Sequence, residues 1–351
     1  MKAAILRNGT MVVEEVDQLV PGPGQVLVET VACGICGSDL HTVDHTEHFV
    51  ATAREAGSLM IFDPDRDLVM GHELAVKVLE TGAGVDGLPT DTVMAAMPAL
   101  TTPDGIAVPG YSNDYPGGYS QQMLVDPGAL LPVPNGLPGH LAALTEPMAV
   151  GLHAVNQSSI SDGRPAIVIG CGPVGLAIIA ALALTDTAPI IASDLSPTRR
   201  ELARRLGADI VIDPGTTDSR QAGFALATEA WSAAGKDPVP PVIFEAVGVP
   251  GLIDMAVSGA PSGSELVVAG VCMEDDRFRP IMGIYKRMTI RFVLGWSPEE
   301  FHASLYNLAE GRIDGGAIVT AEIGLDQVPQ TFRDLADPVD QVKVLVRPNG
   351  R

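Results

Sequence analysis

Cysteine is scarce in this chain of 351 residues: only four occur, at positions 33, 36, 171 and 272. A disulfide framework needs denser and more even pairing, so a reducing compartment, the cytoplasm, is expected. Basic residues are also few. Lys plus Arg total 22 against 43 Asp plus Glu, and the formal net charge of −21 repels phosphate backbones and anionic lipid, which argues against nucleic acid or a membrane surface as a partner. No export signal is read at the amino terminus, where Met1-Lys2 leads into a short apolar stretch that meets Arg7-Asn8-Gly9. Internal repeats and low-complexity segments are lacking. One charge-free run, Ala166 to Leu184, is 19 residues long, close to a membrane span. Glycines at 170, 172 and 175 and the proline at 173 divide it, so a buried strand, a turn and a helix explain it better.

What is present is enough apolar residue for a folded protein, 46% hydrophobic against 19% charged, and enough length for about two domains. The first 130 or so residues read as an all-β region: Met1–Leu6 and Met11–Val16 flank a turn at Asn8-Gly9, and Gln25–Val31, Leu74–Leu79, Thr92–Met97 and Gln121–Val125 follow between Gly, Pro and Asp clusters. From about residue 151 strands and helices alternate, beginning with Ala166–Gly170 and the helical stretch after it, which predicts a parallel sheet with helices on both faces. Val342–Val346 reads as a strand that rejoins the first region. The expectation is an α/β chain of two interleaved domains, 1–151 with 297–351, and 152–296.

Gly170-Cys171-Gly172-Pro173-Val174-Gly175 matches G-x-G-x-x-G, follows a strand-like run, opens a helix, and has Asp194 nineteen residues beyond Gly175. The first glycines let backbone approach a pyrophosphate, the third lets helix and strand pack closely, and the helix N-terminus supplies partial positive charge. Asp194 suits ribose hydroxyls and opposes a 2′-phosphate, which favours NAD over NADP. Asp194 also suits a helix N-cap before Ser196-Pro197, a role compatible with the first. Arg199 and Arg200 are near enough in sequence to reach the adenosine side, and Val247-Gly248 and Gly270-Val271 follow two later strands expected to line the nicotinamide side.

The β-rich region carries G-I-C-G-S-D-L-H at 34–41, G-H-E at 71–73 and T-E-P at 145–147. Cys36, His72, Glu73 and Glu146 offer the thiolate, imidazole and carboxylate mix that suits zinc. Cys33-Gly-Ile-Cys36 also matches a redox C-x-x-C, but it follows a β stretch instead of opening a helix in a βαβ unit, so Cys33 is read as a buried small apolar residue.

In these motifs and their order, nearly the whole chain resembles the zinc-dependent medium-chain alcohol dehydrogenases, with the polyol (sorbitol-type) and threonine dehydrogenase branch the nearest likeness. The resemblance implies a GroES-like catalytic domain made from both chain ends, an inserted Rossmann domain, an active site in the cleft, and a homodimer or homotetramer with an interface strand after about residue 285. It makes Cys36 and His72 zinc ligands, Ser38 the hydroxyl that takes the substrate proton, His41 the group that passes it on, and Asp39 the acid that orients the metal-bound imidazole. Glu146 stands where the two-cysteine members have their second cysteine. Cys36 thiolate and one carboxylate balance the ion, so Glu73 and Glu146 are expected to share the third position. Relatives with a structural zinc lobe use four cysteines in the region matching roughly 85–120, whereas this chain has none between 36 and 171, so one zinc per subunit is expected.

The reaction implied is hydride transfer between an alcohol or polyol and NAD. Alcohols ionise near 16 in water, and a shift of roughly eight units, as for metal-bound water, is worth on the order of 11 kcal/mol. A zinc-free reductase of the same fold and a non-catalytic dinucleotide sensor are the competing readings. The segments Thr42–Leu68, with His45, His48 and Phe49, and Thr101–Gly118, with Tyr111 and Tyr115, are candidate pocket walls, His45 and His48 reading more simply as solvated loop residues.

Overall fold

The computed structural model describes residues 1–90, 92–160, 164–216, 229, 232–233, 239–336 and 341–350. Two compact units result: Met1–Glu146 with Leu305–Gly311 and Val319–Arg351, and Pro147–Ser304 with Arg312–Ile318.

The first unit opens with a hairpin, β1 (Lys2–Arg7) and β2 (Thr10–Glu15). Its turn residues Asn8 and Gly9 both have positive φ, 49° and 71°, the twist that a two-residue hairpin requires. The candidate metal-ligand motifs hang on β3 (Val26–Gly34) and β4 (Glu73–Thr81), which pair antiparallel along most of their length. Between them the chain is not all β. Helix α1 (Gly37–Asp44) and helix α2 (Thr46–Glu55) fill part of the segment 42–68, so the expectation of an all-β first region with a loop there is corrected. Local chemistry explains α1: Cys36 is its N-cap, and the Asp39 carboxylate turns back to accept the Cys36 N–H at 3.0 Å, an acidic residue in the first turn of a helix. His45 and His48 are exposed, although His48 lies on α2.

Strand β5 (Val93–Ala96) extends the sheet from β4, a small hairpin of β6 (Leu100–Thr102) and β7 (Gly105–Ala107) stands apart, β8 (Gln122–Val125) pairs with β3, and β9 (Leu130–Pro132) closes one edge on β5. Apolar residues alternate inward from these strands into one core that includes Ile5, Val28, Leu74, Met94 and Met123, and Tyr119 joins it from the turn before β8. Each such side chain, fully buried, contributes about 1.5–3 kcal/mol.

Helix α3 (Thr145–Gln157) leads into the second unit. Strands β10 (Ala166–Ile169), β11 (Ile190–Ser193), β12 (Ile210–Ile212), β13 (Val242–Glu245), β14 (Glu265–Val268) and β15 (Thr289–Phe292) form a parallel sheet in the order β12-β11-β10-β13-β14-β15. This is the doubly wound 3-2-1-4-5-6 order, with its direction of winding reversing beside β10. The uncharged run after β10 becomes helix α4 (Pro173–Leu182), started by Pro173 in its first turn and buried from Gly175 to Leu182. No described helix is long and apolar enough to cross a membrane. Helix α5 (Pro197–Arg205) follows β11. The chain returns to the first sheet through β16 (Val319–Ile323) and β17 (Lys343–Val346), β17 pairing with both β16 and β3.

Candidate functional site

Cys36 before α1, and His72 and Glu73 at the start of β4, bring one donor atom each to within 4.8 Å of the others. Their sequence separation is bridged by the β3–β4 pairing, which sets Cys33 opposite Leu74 and Gly34 opposite Glu73. Glu146, in the first turn of α3, is buried and acts electrostatically on Lys343, but it is not within that tight group.

Asp39 organises the imidazole. Its Oδ2 accepts from the Cys36 N–H and, at 2.6 Å, from the hydroxyl of fully buried Tyr119. Its Oδ1 faces His72 Nδ1 at 3.5 Å, and these two buried atoms lack any hydrogen-bond partner within normal range among the described residues. An imidazole that gives Nε2 to a metal carries its proton on Nδ1, and Asp39 Oδ1 is the acceptor placed for it. The donor set and this waiting pair both fit a zinc ion. Burial opposes protonation of His72, but Tyr111, Asp39 and Cys36 outweigh it and push its pKa well above the ordinary imidazole value.

Lys343, which nothing in the local sequence marks, is the first residue of β17 and is buried against Glu73. Its Nζ donates to both Glu73 oxygens, at 2.6 and 2.8 Å, and to the Ile35 carbonyl at 3.0 Å. Burial lowers the pKa of such an amine, but Glu73 and Cys36 more than compensate and Lys343 is held charged.

Ser38 is half-buried in the first turn of α1, and His41 lies one turn further on. The Ser38 hydroxyl accepts from Tyr111 Oη at 3.0 Å. Tyr111 comes from the 101–118 segment and Phe49 from α2, and their rings stack at 5.8 Å and 10°. The two candidate pocket walls therefore meet beside Ser38. Cys36 opens α1, but the strands on either side, β3 and β4, pair antiparallel, so the C-x-x-C does not sit in a parallel strand–helix–strand unit. Cys33 is fully buried on β3, and burial drives its thiol pKa well up, so it is an inert packing residue.

In the second unit the glycine turn joins β10 to α4. Gly170 has a φ of 90°, and a Cβ there would strike Val247; a Cβ on Gly175 would collide with the Gly170 carbonyl. A Cβ on Gly172 would meet nothing within 4 Å, and Gly172, Pro173 and Val174 are partly exposed at the helix N-terminus. That combination, a tight inner turn with an open outer side, is what an approaching phosphate needs. Asp194 follows β11, and its carboxylate accepts the Cys171 and Ser196 N–H groups, each at 2.7 Å. The helix N-cap is Ser196, which accepts from the Arg199 N–H. Arg200 is tied to the Asp194 and Leu195 carbonyls and to Asp213, whereas Arg199 stands in the first turn of α5.

Val247 and Gly270 follow β13 and β14, as expected. The residue that shapes them is Glu245, at the end of β13, whose Oε1 accepts the Val247 and Gly248 N–H groups at 2.8 Å each. A Cβ on Gly270 would stand 2.7 Å from Glu245 Oε2. Burial raises the Glu245 pKa against the pull of those two amides.

A GroES-like β unit holding a cysteine–histidine–carboxylate group, together with a doubly wound sheet bearing a dinucleotide turn, defines an alcohol dehydrogenase of the medium-chain type. Residues 22–135 match the alcohol dehydrogenase GroES-like domain and residues 173–310 the zinc-binding dehydrogenase domain. The chain is 32% identical to (R,R)-butanediol dehydrogenase of Bacillus subtilis (strain 168), over 99% of this chain and all of that protein. The crystal structure of 2R,3R-butanediol dehydrogenase from Bacillus subtilis superposes with a TM-score of 0.81, at 30% identity and 99% coverage of each chain. A Sinorhizobium meliloti 1021 protein solved with NADP bound gives a TM-score of 0.80, at 25% identity and 99% coverage of each chain. The chain belongs to the zinc-type medium-chain alcohol dehydrogenase family, oxidoreductases that interconvert alcohols and carbonyls.

Proposed function

We propose that the protein is a zinc-dependent, NAD-linked dehydrogenase of small diols, polyols or related secondary alcohols, with one zinc per subunit. The observation that carries the reading is the convergence of Cys36 and His72, with the charge-paired Glu73 beside them, near the Ser38 hydroxyl, together with the waiting Asp39–His72 pair. Zinc held there would acidify the hydroxyl of a bound alcohol, while a nicotinamide held by the second unit would take up the hydride.

Cys36 and His72 are direct ligands in this reading, and Glu146 is the third. Glu73 is already held at both oxygens by Lys343, which cancels its charge. With that ammonium included, the thiolate, both carboxylates and a divalent ion sum to neutrality, so the second carboxylate no longer leaves the site negative. Asp39 orients His72, Ser38 accepts the substrate's hydroxyl proton and His41 passes it on. Gly170, Gly172, Pro173, Val174 and Gly175 hold the pyrophosphate, and Asp194 holds the ribose hydroxyls, with Arg199 on the adenosine side. Val247 and Gly270 flank the nicotinamide. The Asp194 carboxylate supports NAD, in contrast to the relative that carries NADP.

The likeness to a butanediol dehydrogenase puts small vicinal diols first in a substrate panel. Zinc-loaded protein is expected to reduce NAD with a member of a panel of diols, polyols, hydroxy-amino acids and secondary alcohols, and to lose that activity on chelation. Dinucleotide binding without turnover would replace the reading with a sensor, and turnover that survives complete zinc removal would replace it with a zinc-free reductase. We also place the protein in the cytoplasm as a homodimer or homotetramer, with the exposed Ile284, Tyr285 and Phe292 near β15 as its interface; light scattering showing a monomer would remove that assignment.

A further inference from the structure

We propose that Tyr111 is a positioning residue for proton transfer, setting the direction of the Ser38 hydroxyl; this rests on the reading in which Ser38 accepts the substrate's proton. Tyr111 Oη donates to Ser38 Oγ at 3.0 Å across 73 residues of sequence. The phenol cannot easily wander. Tyr111 is 3% exposed, its ring stacks on Phe49 at 5.8 Å, and it lies 5.4 Å from the His72 ring at a tilt of 37°. Its own N–H is bonded to the Val108 carbonyl at 2.9 Å.

A serine hydroxyl has one proton and two acceptor lone pairs, and its rotor normally turns to suit its neighbours. Tyr111 occupies one of those lone pairs. The other is then the acceptor for a substrate O–H, and the Ser38 proton is left to point in the third direction, where it can be handed on. When the substrate proton arrives on Ser38 Oγ, the original Ser38 proton departs towards the next acceptor, so the serine stays neutral. The Tyr111 O–H bond is neither broken nor made. Tyr111 acts only by holding the rotor in the orientation that accepts from one side and gives on another.

The test is a double-mutant cycle between Tyr111→Phe, which keeps the ring and its stacking, and Ser38→Ala. In the otherwise unchanged enzyme, Tyr111→Phe is expected to lower kcat/KM for alcohol oxidation about three- to tenfold, the worth of one hydrogen bond. In the Ser38→Ala background the same change is expected to cost less than about twofold, because the group it acts through is gone. Binding of 2,2,2-trifluoroethanol, an alcohol that resists oxidation, to the enzyme with NAD is expected to weaken about threefold in Tyr111→Phe, again one hydrogen bond's worth. Zinc content and NADH affinity are expected to stay the same. An equal loss in both backgrounds, or no loss in either, overturns the proposal and leaves Ser38 in its role. Full activity of Ser38→Ala instead overturns the underlying assignment of Ser38, and this proposal falls with it.

Discussion

Lys343 Nζ lies 2.6 and 2.8 Å from the two carboxylate oxygens of Glu73, and the side chains are 1% and 0% exposed. A paired charge at that depth is weak evidence for net stability, because desolvation offsets much of the attraction. Its clearer effect is to neutralise a buried carboxylate that stands beside Cys36 and His72.

Replacing Lys343 with Met is expected to destabilise the protein by about 3–5 kcal/mol, the usual cost of leaving one member of a buried pair uncompensated. Combining it with Glu73→Gln is expected to restore a substantial part. Urea unfolding of the three variants at neutral pH measures this, and a double variant no more stable than Lys343→Met alone would contradict it.

Cys36→Ser is expected to reduce bound zinc to near zero and abolish turnover, while NADH fluorescence titrations still show binding, since the glycine turn lies on a separate sheet. Metal analysis of the unaltered protein is expected to return one zinc per chain. Two tightly held ions per chain would contradict that count.

Asp194→Ser removes the carboxylate that, in the proposed reading, opposes a 2′-phosphate. The ratio of kcat/KM for NADP over NAD is expected to rise by about tenfold or more, equivalent to about 1.4 kcal/mol. Some stability is expected to be lost as well, because the Asp194 oxygens accept two backbone N–H groups. An unchanged cofactor ratio would show that Asp194 only shapes the turn.

Glu300 gives a pH dependence with a defined sign. Burial tends to raise its pKa, but the Ser297 N–H, Asn156 and His153 outweigh that and lower it below the ordinary carboxylate value. A depressed carboxylate contributes stability that is fully present above its unfolded pKa, about 4.3, and is lost as pH falls through the folded value. Between neutrality and the acid range, the stability of the protein is therefore expected to fall more steeply than that of Glu300→Gln. Parallel acid-unfolding curves would contradict this.

What could be read in advance followed the range over which each signal acts. The turn at 170–175 was legible because its glycines, Pro173 and Asp194 serve one strand–turn–helix unit with fixed local spacing. The hairpin at Asn8-Gly9 was legible for the same reason. Helix α2 was not, because Thr46–Glu55, T-E-H-F-V-A-T-A-R-E, mixes β-branched and His residues without a firm apolar stripe. Helix α1 was hidden by a cap that looks like a redox cysteine. Tyr119 and Lys343 could not be read at all: the first is 80 residues from Asp39 and the second 270 residues from Glu73, and only the sheet brings them together. Glu245 was overlooked because an acid at a strand end carries no marker of the two amides it will collect.

The insertion of β17 between β16 and β3 also orders events during synthesis. A nascent chain can pair β3 with β4 and bring Cys36, His72 and Glu73 together long before residue 343 leaves the ribosome. Until then the Glu73 carboxylate has no ammonium opposite it, and the half-made sheet has an open edge where β17 will lie. A fragment ending short of Lys343 would leave a buried carboxylate without its ammonium and an unpaired strand edge, the kind of edge on which another chain can add.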